Sequence, residues 1–166
     1  EHRMKAALYR GKHALDVVTR DLRPLREDEV LIDVEACGVC GTDVHIVEGT
    51  SRSNPPVVLG HEYAGRIVER GRNVSAHVEG ERVAVDPNIA CGECAYCRKG
   101  LVHLCSSLRA LGVDIDGGMA EYSIVPAAQC YTLGEEIAPE VCAFVEPVSC
   151  AVHGIDRARI ATGDAV

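Results

Sequence analysis

The chain has no tryptophan and a single phenylalanine, Phe144. Proteins that grip single-stranded nucleic acid stack its bases on aromatic rings, and that platform is missing. Positive charge is also scarce: 17 Lys and Arg against 25 Asp and Glu leave a formal net charge of −8. This balance argues against a nucleic-acid partner and against binding to an anionic membrane surface. No apolar run approaches the roughly 20 residues that span a bilayer. The N-terminus lacks the basic-then-apolar layout of a secretory signal. The expectation is a cytoplasmic protein with no membrane contact. Two catalytic signatures are missing too: the G-x-G-x-x-G turn that cradles a dinucleotide, and the H-E-x-x-H helix of a zinc hydrolase.

What remains is enough for a folded domain. The 166 residues are 47% hydrophobic and 25% charged, a composition that supports a real core. Glu1-His2-Arg3 ahead of Met4 reads as a leader foreign to the fold. From there to about residue 130 the chain reads as short, β-branched, often alternating runs. These are KAALYR, ALDVVTR, EVLIDVEACGV, YAGRIVERG, ERVAVDP and AEYSIVP. Turn signals such as Arg10-Gly11-Lys12, Asn54-Pro55-Pro56 and Asp116-Gly117-Gly118 separate them. Many short strands with such punctuation predict a mainly β barrel or sandwich. A short helix is predicted over Thr42–Val47. Near Ala138 the apolar spacing becomes helical, predicting helices over Pro139–Glu146 and Pro147–Ala158, with Pro147 starting the second or kinking the first.

Nine cysteines are many for a reducing compartment, and an odd number does not form a disulfide framework. Four of them, Cys91, Cys94, Cys97 and Cys105, follow a C-x2-C-x2-C-x7-C pattern in the stretch CGECAYCRKGLVHLC. Short loops of this kind bring thiolates together on one ion, and four sulfurs close a tetrahedral zinc site completely. Such a site is structural and names no reaction. Four buried free thiols, or a four-sulfur iron site, are the alternatives. His103, inside this stretch, reads as a loop residue. Cys37, Cys130, Cys142 and Cys150 read as core packing, with Cys150 and His153 as candidates for a pocket wall beside Glu146. His13 and His77 read as exposed.

A second constellation is spread along the chain: CGVCGTDVHIVEG, GHEYAGRIVERG and EPVSCAVHG. Cys40-Gly41-Thr42-Asp43, then Gly60-His61-Glu62, then the cysteine stretch, then GGMAEY, then Glu146-Pro147 follow the order found in zinc-dependent medium-chain alcohol and polyol dehydrogenases. From about Met4 onward the chain resembles their N-terminal GroES-like catalytic domain. The resemblance implies a partly open β-barrel with a zinc-knuckle lobe at about 88–108 and C-terminal helices. It implies a catalytic domain over 4–150, then a connecting helix and lead-in over 151–166 to a Rossmann domain absent from this chain. Cys40 and His61 would be ligands of a catalytic zinc. Glu62 and Glu146 match acidic positions that ligate it directly or support it. Glu146, where the simple alcohol branch carries cysteine, favours a polyol, secondary-alcohol or amino-alcohol substrate. Asp43 would orient His61. Thr42 would start a proton relay that His45 ends. Two zinc ions per chain, NAD or NADP in the full-length enzyme, and a homo-oligomer are implied.

The residue types are chemically coherent without the family. A catalytic zinc needs three protein ligands and an open fourth position. A thiolate, an imidazole and a carboxylate together leave that site near neutral. The contrasting expectation is a standalone zinc-stabilised barrel, serving as a binding or assembly module without turnover.

Overall fold

The structure is a computed structural model and describes residues 3–161, Gly163 and Asp164. Glu1, His2 and part of the expected lead-in (Thr162, Ala165 and Val166) lie outside the described residues. The chain opens with β1 (Arg3–Gly11) and β2 (Ala14–Asp21), an antiparallel hairpin. Arg3, set aside on sequence, is part of β1 and forms an ion pair with Asp21 at 3.6 Å. Next come β3 (Glu29–Cys37), α1 (Gly41–Val47), β4 (Val57–Val58), β5 (Tyr63–Arg70) and β6 (Arg82–Val85). The strands β7 (Asn88–Ile89) and β8 (Arg109–Ala110) pair with each other at the base of the cysteine lobe. β9 (Tyr122–Pro126), β10 (Cys130–Thr132), α2 (Pro139–Ala143) and α3 (Val145–Ala158) complete the order.

Two antiparallel sheets carry the fold, one ordered β2-β1-β4 and the other β10-β6-β5-β3-β9. They are stitched together by the segment before β9. The Ala7 amide donates to Met119 O at 2.8 Å, and Glu121 N to Lys5 O at 3.0 Å. On its other side the same segment serves β3, where Val34 N donates to Glu121 O at 2.9 Å. The result is the expected partly open barrel. Its main core gathers Val30, Ile32, Tyr63, Ile67, Val83 and Val125. These are the inward positions of the alternating runs, as a two-residue strand period requires. A second cluster of Tyr9, Ile46, Val57 and Leu59 pins α1 to the barrel through the fully buried Ile46.

The C-terminal helices depart from expectation. The break falls at Phe144, not at Pro147, so Glu146 belongs to α3 and not to the helix before it. Pro147 is the third residue of α3, where the backbone N–H has no partner inside the helix; the ring therefore costs no hydrogen bond. α2 docks on the barrel through Cys142 and Ala143. α3 buries none of its residues, and Val148, Val152 and Ile155 line an exposed apolar stripe. Cys150 is accordingly exposed, which corrects its reading as core packing, whereas Cys130 and Cys142 are buried and Cys37 packs against the main core.

His77 corrects a second expectation: it is buried, not exposed. Its Nδ1 stands 3.2 Å from Glu81 Oε2, the oxygen that also accepts from Val78 N at 2.9 Å. A buried imidazole with a carboxylate partner avoids the desolvation cost of an unpaired polar group.

Candidate metal centre

The antiparallel pairing of β3 with β5 creates the site. Cys37 lies opposite Tyr63 at the end of that ladder, and Gly38 N continues it by donating to Glu62 O at 2.7 Å. Cys40 stands three residues beyond the end of β3, and His61 and Glu62 are the two residues before β5 starts. One strand pairing therefore delivers all three to the same place. Ligand atoms of Cys40, His61 and Glu62 lie within 4.8 Å of one another. A Cβ at Gly38 would fall 2.5 Å from Glu62 Oε2, so a side chain there would displace the Glu62 carboxylate.

Asp43 organises this corner. It is 3% exposed, and its Oδ2 accepts from Cys40 N at 2.9 Å, capping the first turn of α1. Its Oδ1 accepts from Gly60 N at 3.3 Å and stands 3.6 Å from His61 Nδ1. Burial pushes the Asp43 carboxyl up, but His61 and the amides of Cys40 and Gly60 outweigh it and hold the carboxyl below its usual range. Attraction to Asp43, reinforced by Cys40, raises His61 to about 9 against the opposing effect of burial. His61 Nδ1 is buried without a hydrogen-bond partner within normal reach.

Glu146 approaches from α3. It is outside the three-donor cluster but close enough to feel His61 and Glu62 electrostatically. Burial raises its pKa; the Cys150 thiol, donating to Oε1 at 3.6 Å, pulls the other way. Thr42 Oγ1 lies 3.6 Å from Cys40 Sγ. His45 is at the far end of α1, exposed, with Nδ1 3.5 Å from Thr50 Oγ1 and 3.8 Å from Glu48 Oε2. Among the described residues no hydrogen bond joins Thr42 to His45.

The second cluster is the cysteine lobe. Ligand atoms of Cys91, Cys94, Cys97 and Cys105 lie within 4.8 Å of one another. Sγ of Cys97 is 3.5 Å from that of Cys94 and 3.9 Å from that of Cys91. Four sulfurs at about 2.3 Å from a common centre would stand about 3.8 Å apart, so the donor set fits zinc. Backbone amides are aimed at the sulfurs: Cys91 N at Cys105 Sγ, 3.3 Å, and Cys94 N at Cys91 Sγ, 3.4 Å. Such amides favour thiolate. That of Cys97, the first of several, brings Cys94 down to about 5, and that of Cys91 lowers Cys105. Cys97 moves the opposite way, pushed up by burial and by the neighbouring sulfurs.

Sequence reasoning missed part of the surroundings. A cavity of about 650 Å³ opens beside Glu146, and Asp86, Tyr131 and His103 help to line it. Cys150 and His153 line it too, the alternative the sequence left open for them. Asp86 ends a strand run and His103 sits among the cysteines, so neither carried a signal of its own.

Fold and side chains define a partly open β-barrel domain with two convergent metal-ligand clusters. The family model for the alcohol dehydrogenase GroES-like domain matches residues 26–135, and the chain belongs to that family. It is 40% identical over 148 residues to the L-threonine 3-dehydrogenase of Caldanaerobacter subterraneus subsp. tengcongensis, covering 87% of this chain and 43% of that protein. It is 39% identical over 156 residues to D-arabinitol dehydrogenase 1 of Uromyces fabae, covering 94% and 44%. A protein assigned as a zinc-binding dehydrogenase of Sinorhizobium meliloti 1021, solved bound to NADP, superposes with a TM-score of 0.92 at 42% identity. That match covers 95% of this chain and 46% of the other. The chain thus spans less than half the length of each of these relatives. No helix among the described residues is long and apolar enough to cross a membrane.

Proposed function

We propose that this chain supplies the zinc-bearing half of an NAD(P)-dependent dehydrogenase acting on a polyol, secondary alcohol or amino alcohol. The observation that carries the reading is the convergence of Cys40, His61 and Glu62, three chemically different zinc donors from separate parts of the sequence. A barrel used only as a scaffold needs no such set.

Cys40, His61 and Glu62 would hold the catalytic zinc, with Glu146 as a further ligand or as its supporting carboxylate. Bound there, zinc supplies Lewis acidity that makes a substrate hydroxyl easier to deprotonate. The protein does the rest. Asp43 stands beside His61 Nδ1 as its charged neighbour at 3.6 Å, which would leave Nε2 for the metal. Thr42, beside the Cys40 sulfur, is placed to accept the hydroxyl proton, and His45 to release it at the surface. Among the described residues no hydrogen bond joins these two side chains, so such a relay requires a bridging group between them. The four knuckle cysteines would hold a second, structural zinc. A nicotinamide, held by a further nucleotide-binding domain, would supply the hydride acceptor, and the full-length enzyme would assemble as a homo-oligomer.

The test is Cys40→Ser in the full-length protein that carries this chain. Loss of alcohol-dependent NAD(P) reduction with an unchanged fold is expected. A variant with full activity would overturn the mechanism.

A further inference from the structure

The cysteine lobe does more than stabilise. His103 lies inside it, between Cys97 and Cys105, and its ring meets that of His153 on α3, with centroids 6.0 Å apart and planes tilted by 58°. Both rings border the cavity of about 650 Å³ that Glu146 also lines. Along α3, Glu146, Cys150 and His153 fall at positions i, i+4 and i+7, on one face of the helix. Seven residues at a rise of about 1.5 Å place His153 about 10 Å from Glu146 along the helix axis. Glu146, proposed above as a ligand or supporting carboxylate of the catalytic zinc, lines the cavity and marks its metal end on that reading. The two imidazoles form its distal wall.

We propose that His103 and His153 select the substrate by hydrogen bonding to hydroxyls remote from the reacting carbon, so that the cavity takes an extended, uncharged polyol. This rests on the dehydrogenase reading above and adds its substrate class. A neutral imidazole offers one donor and one acceptor nitrogen, which suits hydroxyls that can do either. Asp86 and Glu146 in the same cavity disfavour a carboxylate or phosphate on the substrate. A simple aliphatic alcohol would leave both rings without partners. Placing one of the pair on the lobe and the other on α3 makes the geometry of the knuckle part of substrate recognition.

The experiment compares D-arabinitol, L-threonine and 2-butanol as substrates of the full-length protein, for wild type and for His103→Leu, His153→Leu and His103→Gln. Zinc content of each variant confirms that the lobe is intact. The expected result is a fall of about tenfold in kcat/KM for D-arabinitol in both Leu variants, little change for 2-butanol, and partial recovery in His103→Gln. Equal losses on all substrates, no loss at all, or a loss confined to L-threonine would overturn the proposal. A wild type that oxidises none of the three would instead overturn the dehydrogenase reading beneath it.

Discussion

The Asp43 carboxylate stands 3.6 Å from His61 Nδ1 while its other oxygen caps α1 at Cys40 N, 2.9 Å away. One buried side chain therefore fixes the position of two proposed metal ligands from different elements. Asp43→Ala leaves the amides of Cys40 and Gly60 without their acceptor, at a cost of about 1–3 kcal/mol in stability. It should also weaken zinc binding at the three-donor cluster by about 10–100-fold. Chemical denaturation and competition with a zinc-responsive chelator measure the two effects separately.

Gly60 precedes His61 in a left-handed conformation, φ +89°, and a Cβ there would fall 2.6 Å from Met119 Cγ and 2.7 Å from Cys37 Sγ. Gly60→Ala combines the penalty for a left-handed L-residue with overpacking, together about 2–5 kcal/mol. The midpoint of urea unfolding should fall accordingly.

The cysteine lobe holds Arg98 and Lys99 exposed on a short turn between ligands. Withdrawal of its metal by a strong chelator, or Cys105→Ser, should open this turn to trypsin. The barrel should retain its circular dichroism, because the buried side chains of its core lie outside the lobe, from whose base the partly buried Ile89 packs against them. Mass spectrometry of the first cleavage products reads the outcome.

Glu29 accepts from Arg23 at 2.6 and 2.7 Å and from Arg26 N at 2.9 Å. Burial pushes its carboxyl up, but these three bonds prevail and its pKa lies below the ordinary value. The folded-state pKa is depressed, so the stabilisation is present above the unfolded-state value of about 4.3 and is lost as pH falls through the folded value. Wild type should be more stable than Glu29→Gln at neutral pH. The difference should shrink toward acid, as measured by denaturant titrations across that range.

How much of this was visible in the sequence follows from the physics of each element. The six runs became β1, β2, β3, β5, β6 and β9, although β6 is buried throughout and β2 reaches the core through the partly buried Val18. The two-residue strands β4, β7 and β8 have no period to read; tertiary contacts create them. Pro147 drew the expected helix break three residues too late, because a proline inside a first turn is as comfortable as one at the start. His77 looked exposed because its half-buried partner, Glu81, is brought in by the turn between them and by Thr132. The candidate donors Cys40, His61 and Glu62 stood out by their motifs. Their convergence comes from the β3–β5 register, which no local pattern states.

Zinc content, measured on the purified chain and on Cys40→Ser, tests the central claim most directly. The account predicts two ions per chain in the wild type and one in Cys40→Ser, the remaining ion held by Cys91, Cys94, Cys97 and Cys105. A wild type that binds only the knuckle ion, or a Cys40→Ser chain that keeps both, would contradict it.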